Sequence, residues 1–354
     1  MTVAILVVLL FLAAANGAND VSKGVATLAG AGVTAYRTAI LWGAATTLIG
    51  ALLSIQIGRS MGKLFSQGIV SGAPTAAFAL AVLLGTSSWV ALATVARLPV
   101  STTQAIVGSL VGAGLVLAPS SVQWSGVLQK VVLPLLLSIV VAYGISVTLV
   151  MAVQVGRRLR RTPQTELATV GVAPTGTGAA VPAPDGRPVT AADYAVPGPA
   201  RRDLAVTFLH WASSGATGCA RGLNDTPKIA AIGGFALLPA GYSATVISVI
   251  VAVAMAAGSL FGVRVARTLG EKVVRMSHTE GFTANATTAC LVGAGAFLAL
   301  PMSTTQVSTG AIVGSAGGQL SRISGRTLRD FAIAWTATPI CAGVVAAIVF
   351  AAAG

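Results

Sequence analysis

Eight stretches of this chain carry no formal charge, and they decide which solvent it folds in. They cover residues 1–19, 38–58, 64–96, 98–129, 131–155, 229–263, 281–321 and 331–354. A helix needs about 20 mostly apolar residues to cross the hydrocarbon of a bilayer, and most of these runs reach or exceed that length. Only 9% of the 354 residues are charged, where a soluble domain carries about 25%, so a water-facing surface cannot be built. A transmembrane barrel would need short segments alternating apolar and polar residues, whereas these runs are continuous and rich in Ala, Val, Leu and Gly. The fold class is an all-α polytopic membrane protein, with about 10–12 membrane helical segments expected from the run lengths. The net charge of +13 would suggest nucleic acid in a soluble protein; here it is read as basic cytoplasmic loops. Cys219, Cys290 and Cys341 form neither a disulfide framework nor a metal-ligand spacing. Residues 1–15 are apolar with no basic region before them, and are read as a retained first helix.

One segment breaks the pattern. Arg157, Arg158, Arg160 and Arg161 open a stretch rich in Pro, Gly, Thr and Ala that closes on Arg201 and Arg202. Its seven prolines between 163 and 199 oppose a packed helix. Residues 154–202 are therefore expected to be a basic linker between two units, 1–153 and 203–354. The units repeat each other. Asn16-Gly17-Ala18-Asn19-Asp20-Val21-Ser22-Lys23 recurs as Arg221-Gly222-Leu223-Asn224-Asp225-Thr226-Pro227-Lys228, 205 positions on. Leu98-Pro99-Val100-Ser101-Thr102-Thr103-Gln104 recurs as Leu300-Pro301-Met302-Ser303-Thr304-Thr305-Gln306, 202 positions on. Two motifs in the same order at nearly one offset mark an internal duplication.

Loop charge sets the expected orientation. The Arg-rich linker is placed in the cytoplasm by the positive-inside rule, as are the loops holding Arg264, Arg267, Lys272 and Arg275, and Arg322, Arg326 and Arg329. Counting crossings outward puts both termini outside and gives the halves opposite topology, as in inverted-repeat transporters built from broken and half-helices.

Six ionisable residues lie in or against the apolar runs: Asp20, Lys23, Arg97, Arg221, Asp225 and Lys228. A charge near the bilayer centre costs about 2.5–3.5 kcal/mol or more, so each is a functional hypothesis by default. The four that recur in both halves outweigh Arg97 and Arg221, whose counterparts are Ala299 and Asn16. Around the Asn-Asp pairs, Asn16-Gly17 in one half and Pro227 in the other suggest helices unwound near mid-depth. Freed carbonyls, the amides of Asn19 and Asn224 and the carboxylates of Asp20 and Asp225 would offer hard oxygen ligands to a small cation. The plainer alternative is a kink with Asp and Lys paired. The Pro-x-Ser-Thr-Thr-Gln segments read as helix starts, whose free N–H groups and positive dipole ends suit an oxyanion. Simple capping needs one hydroxyl, not three in a row.

These duplicated motifs resemble the PiT family of inorganic phosphate transporters, across essentially everything outside the linker. The resemblance implies secondary active uptake of phosphate with sodium or protons across the inner cell membrane, outside termini, a cytoplasmic central loop and a homodimer. It implies phosphate binding by Ser101, Thr102, Thr103, Gln104, Ser303, Thr304, Thr305 and Gln306. It also implies a shared phosphate and coupling-ion site at Asn19, Asp20, Asn224 and Asp225, with sodium on Asp20 and Asp225 if sodium drives transport. The substrate would be phosphate alone or as a metal–phosphate complex; no cofactor, enzymatic activity or nucleic-acid partner is implied. Sodium-coupled members commonly carry Asn three residues after each Asp, where this chain has Lys23 and Lys228. A tethered ammonium could fill a cation's place, neutralise the Asp or touch phosphate, which favours protons or fewer sodium ions. The other readings are an oxyanion or water channel with paired half-helices, and a symporter for another tetrahedral oxyanion such as sulfate. His210 and His278 receive no role. Trp42, Trp124, Trp211, Trp335 and Tyr36 suit interfacial belts.

Overall fold

The computed structural model describes residues 1–72, 74–159, 201–273, 276–317 and 323–353, and the expected linker lies outside them from 160 to 200. Helices make up all the regular structure among the described residues apart from one isolated bridge between Val70 and Val122. The first half contains α1 (Thr2–Asp20), α2 (Ser22–Gly30), α3 (Tyr36–Ile57), α4 (Arg59–Gln67), α5 (Ala76–Val95), α6 (Thr102–Leu117) and α7 (Leu133–Leu159). The second contains α8 (Arg201–Leu237), α9 (Ala244–Ser259), α10 (Val263–Lys272), α11 (His278–Phe297), α12 (Thr304–Ser315) and α13 (Gly325–Ala353). Among the described residues five helices, with α1 and α2 counted as one, are long and apolar enough to cross a membrane, and α9 with α10, bent by 64° at their break, makes a sixth if the pair is one span. This is a membrane protein, and most of its exposed large apolar side chains, such as Leu136, Leu137 and Val140 on α7, lie on these helices, where lipid can meet them.

The halves interlock. α1 packs on α9 while α3 packs on α8; α6 packs on α13 while α12 packs on α7. Glycine permits the first two crossings. A Cβ on Gly17 of α1 would sit 2.0 Å from Met255 O, and one on Gly222 of α8 would sit 2.3 Å from Thr47 O, so the backbones touch where only hydrogen fits.

The expected unwinding is corrected. α1 runs straight through Asn16-Gly17 to Asp20, and Val21, the one residue between α1 and α2, keeps helical angles of φ −55° and ψ −29°. In the other half α8 is one 37-residue helix with Pro227 inside it. The reason lies in the solvent: a backbone group left unpaired in hydrocarbon costs several kcal/mol, while Pro227 withholds a single N–H and Gly17 withholds none. Val21 N still donates to Gly17 O at 3.1 Å and Gly24 N to Val21 O at 3.3 Å. The half-helix expectation stands, since α6 and α12 are only 16 and 12 residues long.

Candidate functional site

Helical geometry builds the site from two faces. Asn16, Asn19, Asp20 and Lys23 on α1–α2, and Arg221, Asn224, Asp225 and Lys228 on α8, follow the spacing i, i+3, i+4, i+7 that lines one side of a helix. All eight are buried. Each Asp meets the Lys one turn on: Lys23 Nζ lies 2.5 Å from Asp20 Oδ1, and Lys228 Nζ lies 3.4 Å from Asp225 Oδ1. The plainer alternative of local Asp–Lys pairing is therefore present in both copies. Helical carbonyls are engaged too, with Asn19 O accepting from Ser22 Oγ at 2.8 Å and Lys23 Nζ at 3.3 Å.

The Ser-Thr-Thr-Gln segments divide their labour. Ser101 and Ser303 are N-caps, accepting from Gln104 N and Gln306 N, each at 3.2 Å. The threonines reach across instead. Thr103 Oγ1 donates to Met302 O at 3.3 Å, and Thr305 Oγ1 donates to Val100 O at 2.6 Å, so each segment bonds the loop that opens the other. Thr304 Oγ1 donates to Asp20 Oδ2 at 3.2 Å, and Lys228 Nζ donates to Thr103 Oγ1 at 2.8 Å and Met302 O at 3.2 Å. Each Asn also braces an approach loop. Asn19 Nδ2 donates to Leu98 O at 2.9 Å and Asn19 Oδ1 accepts from Val100 N at 3.1 Å, while Asn224 Nδ2 donates to Met302 O at 3.1 Å. Arg97 and Ala299 hold matching left-handed φ of 63° and 55° just before those loops; Arg97 itself is exposed and stands away from the cluster.

Thus hydrogen bonds tie the threonines of both segments to Asn16, Asn19, Asp20, Lys228 and the two approach loops, with Lys23 on Asp20 and Asp225 on Lys228. The side chains of Gln104 and Gln306, by contrast, leave their Oε1 atoms without a partner among the described residues. Of the twelve residues expected to hold phosphate or a coupling ion, all but half-buried Gln104 are buried. No group of three or more His, Cys, Asp or Glu suited to a transition metal occurs among the described residues.

Two participants were undervalued in the sequence. Asn16 Nδ2 donates to Thr102 Oγ1 at 2.8 Å. Arg221 is buried within electrostatic reach of Asp20 and Asp225, bonded to Thr47 Oγ1 and, at 3.2 Å, to Ser259 Oγ. Its Nε and Nη1 find no partner among the described residues. Weighting only the duplicated ionisable residues hid both, although the i, i+3, i+4, i+7 register could have revealed them. Formally the cluster holds three cations and two carboxylates, an excess of one positive charge in a low-dielectric setting. Trp335 Nε1 donates to Pro99 O at 3.1 Å, bracing the approach to Ser101.

A family model described as the phosphate transporter family matches residues 16–346. The chain belongs to that family. A "Probable low-affinity inorganic phosphate transporter" of Mycobacterium bovis is 30% identical to it over 350 residues, covering 95% of this chain and 73% of that protein. A protein of the same description from Rhizobium meliloti is 26% identical over 363 residues, covering 100% of this chain and 96% of the other. The fold is that of a solved structure described as "The sodium-dependent phosphate transporter", with TM-score 0.80, 21% identity, and 99% and 98% of the two chains covered. Family and relatives are transporters, not enzymes.

Proposed function

We propose that this family member carries inorganic phosphate across the cell membrane as a symporter coupled to a monovalent cation, by alternating access to one central site. The carrying observation is the mutual bonding of the two Ser-Thr-Thr-Gln segments beside a buried ion cluster with an excess positive charge. The hydroxyls now spent on Met302 O and Val100 O are the donors a tetrahedral oxyanion would take, along with N–H groups at the starts of α6 and α12. Phosphate enters when the segments part and closes them when bound, which couples occupancy to the rocking of one half against the other. In this mechanism Ser101 to Gln104 and Ser303 to Gln306 hold phosphate, and Asn19, Asp20, Asn224 and Asp225 hold its edge and the coupling ion. The halves 1–153 and 203–354 are inverted repeats, with the central loop in the cytoplasm and both termini outside.

Protons are the favoured coupling ion. Tethered ammoniums of Lys23 and Lys228 already stand against Asp20 and Asp225, leaving less need and less room for sodium. Proteoliposomes given radiolabelled phosphate outside test this directly when sodium and pH gradients are imposed separately. A pH gradient is expected to drive accumulation with sodium absent; strict dependence on sodium refutes the proton assignment, and no accumulation under either gradient refutes the symport.

A further inference from the structure

The internal duplication flanks the central site with two corresponding packings of helices, and they differ in chemistry. Toward the start of α8, the packing of α2, α8, α11 and α12 is polar. Ser214 Oγ at 2.8 Å and Asn285 Nδ2 at 3.1 Å both donate to Gly24 O, and Thr217 Oγ1 donates to Asn285 O at 3.0 Å. Farther out, His210 Nε2 lies 3.2 Å from Thr27 Oγ1 and its ring meets that of His278 edge-on. Nearer the site, Ser308 sits one turn beyond Thr304, the residue that bonds Asp20.

Apply the motif offsets of 205 and 202 residues and six of these side chains turn apolar. His210, Ser214 and Thr217 correspond to Ile5, Leu9 and Leu12; Thr27, Asn285 and Ser308 correspond to Ile232, Leu83 and Ile106. Those six belong to one hydrophobic cluster, and none is more than 1% exposed. A second observation points to a polar occupant on the first side. The hydroxyls of Thr287, Ser308 and Thr309 are buried with no hydrogen-bond partner among the described residues, an unfavourable state for three groups on two adjoining helices unless something polar visits them.

We propose that the polar column is the route by which phosphate passes between the site and the face bearing the start of α8, and that its apolar counterpart is the seal against the opposite face. Wetting the column hydrates groups that already want partners, whereas opening the seal exposes close-packed apolar side chains. The resting protein therefore opens first toward the α8 side, which the loop charges assign to the cytoplasm. This inference rests on the transport reading above.

The test uses matched cysteines in the full chain with Cys219, Cys290 and Cys341 replaced by Ala: Ser308→Cys against Ile106→Cys, and Thr309→Cys against Val107→Cys, the second pair guarding against a misfolded first. A membrane-impermeant methanethiosulfonate reagent is applied to intact spheroplasts and to inside-out vesicles. Positions 308 and 309 are expected to react at least about tenfold faster than 106 and 107, a difference of about 1.4 kcal/mol, from the α8 face only, and more slowly with inorganic phosphate present. Equal rates within about twofold, reaction from both faces, or no phosphate protection overturns the route. Phosphate uptake by proteoliposomes of the unsubstituted chain separates the two failures: uptake there with symmetric labelling of the variants sinks the route alone, while absent uptake there sinks the transport reading.

Discussion

Neutralising one carboxylate of the ion cluster should cost the protein more than neutralising the other, and restoring charge balance should recover the loss. Asp20 and Lys23 are 2.5 Å apart, Asp225 and Lys228 3.4 Å apart. At an effective dielectric of about 20, ion pairs about 3–4 Å apart attract by about 4–6 kcal/mol, most of which desolvation offsets. Removing one partner of a buried pair leaves the other charge stranded and costs about 3–5 kcal/mol. Asp20→Asn also weakens the bond to Thr304 and raises the cluster's positive excess, so the upper part of that range is expected. Asp225→Asn is expected to cost about 1–2 kcal/mol less, because Asp225 Oδ2 accepts no counterpart of the Thr304 bond, while each lysine keeps two other oxygens, Lys23 those of Asn19 and Lys228 Thr103 Oγ1 and Met302 O. Adding Lys23→Met to Asp20→Asn removes the stranded ammonium and should return stability to within about 1–2 kcal/mol of the parent. Reversible unfolding of the purified protein in mixed detergent micelles, run on the two single variants and the double, gives the coupling energy. Additive effects, with coupling below about 0.5 kcal/mol, would show that these charges do not act as a pair, and the electrostatic account of the site would fall with them.

Asp20→Asn and Asp225→Asn should each abolish concentrative phosphate uptake with the protein still inserted; parental accumulation in both removes the carboxylates from the mechanism. Thr102→Ala and Thr304→Ala should chiefly raise the apparent KM for phosphate, and an unchanged KM in both argues against the paired segments as the anion site. Arg221→Gln removes the cluster's excess positive charge and should also raise KM, more steeply than Arg97→Gln at an exposed position; equal effects refute a role for Arg221. Gly17→Ala must displace the backbone at Met255 and should cost about 1–3 kcal/mol, whereas Gly144→Ala, inside α7, meets nothing within 4 Å and should leave the unfolding midpoint no lower than the parent's.

The membrane class, the duplication and the twelve candidate site residues are legible in the sequence, because each follows from local chemistry. Charge-free runs dictate the solvent, a repeated motif betrays duplication, and Pro-Ser-Thr-Thr marks a helix start wherever it lies. The sequence also suggested unwound helices at Asn16-Gly17 and Pro227, which the structure does not contain. Local breaking tendencies amount to about 1–3 kcal/mol, less than the penalty for unpaired backbone in hydrocarbon, so packing overrode them.

What needed the tertiary structure is which residue answers which. That Thr103 bonds the loop before Ser303 and Thr305 the loop before Ser101, 199 and 205 positions apart, depends on the starts of α6 and α12 meeting in the folded chain. No local signal carries that exchange between halves. Arg221 shows the same limit: its spacing puts it on the right face, but only the crossing of α8 with α3 and α9 buries its guanidinium against Thr47 and Ser259, within the field of the two carboxylates. The contrast between a polar and an apolar way out was written in the sequence throughout, yet it acquires meaning only once the two halves are seen to enclose one site.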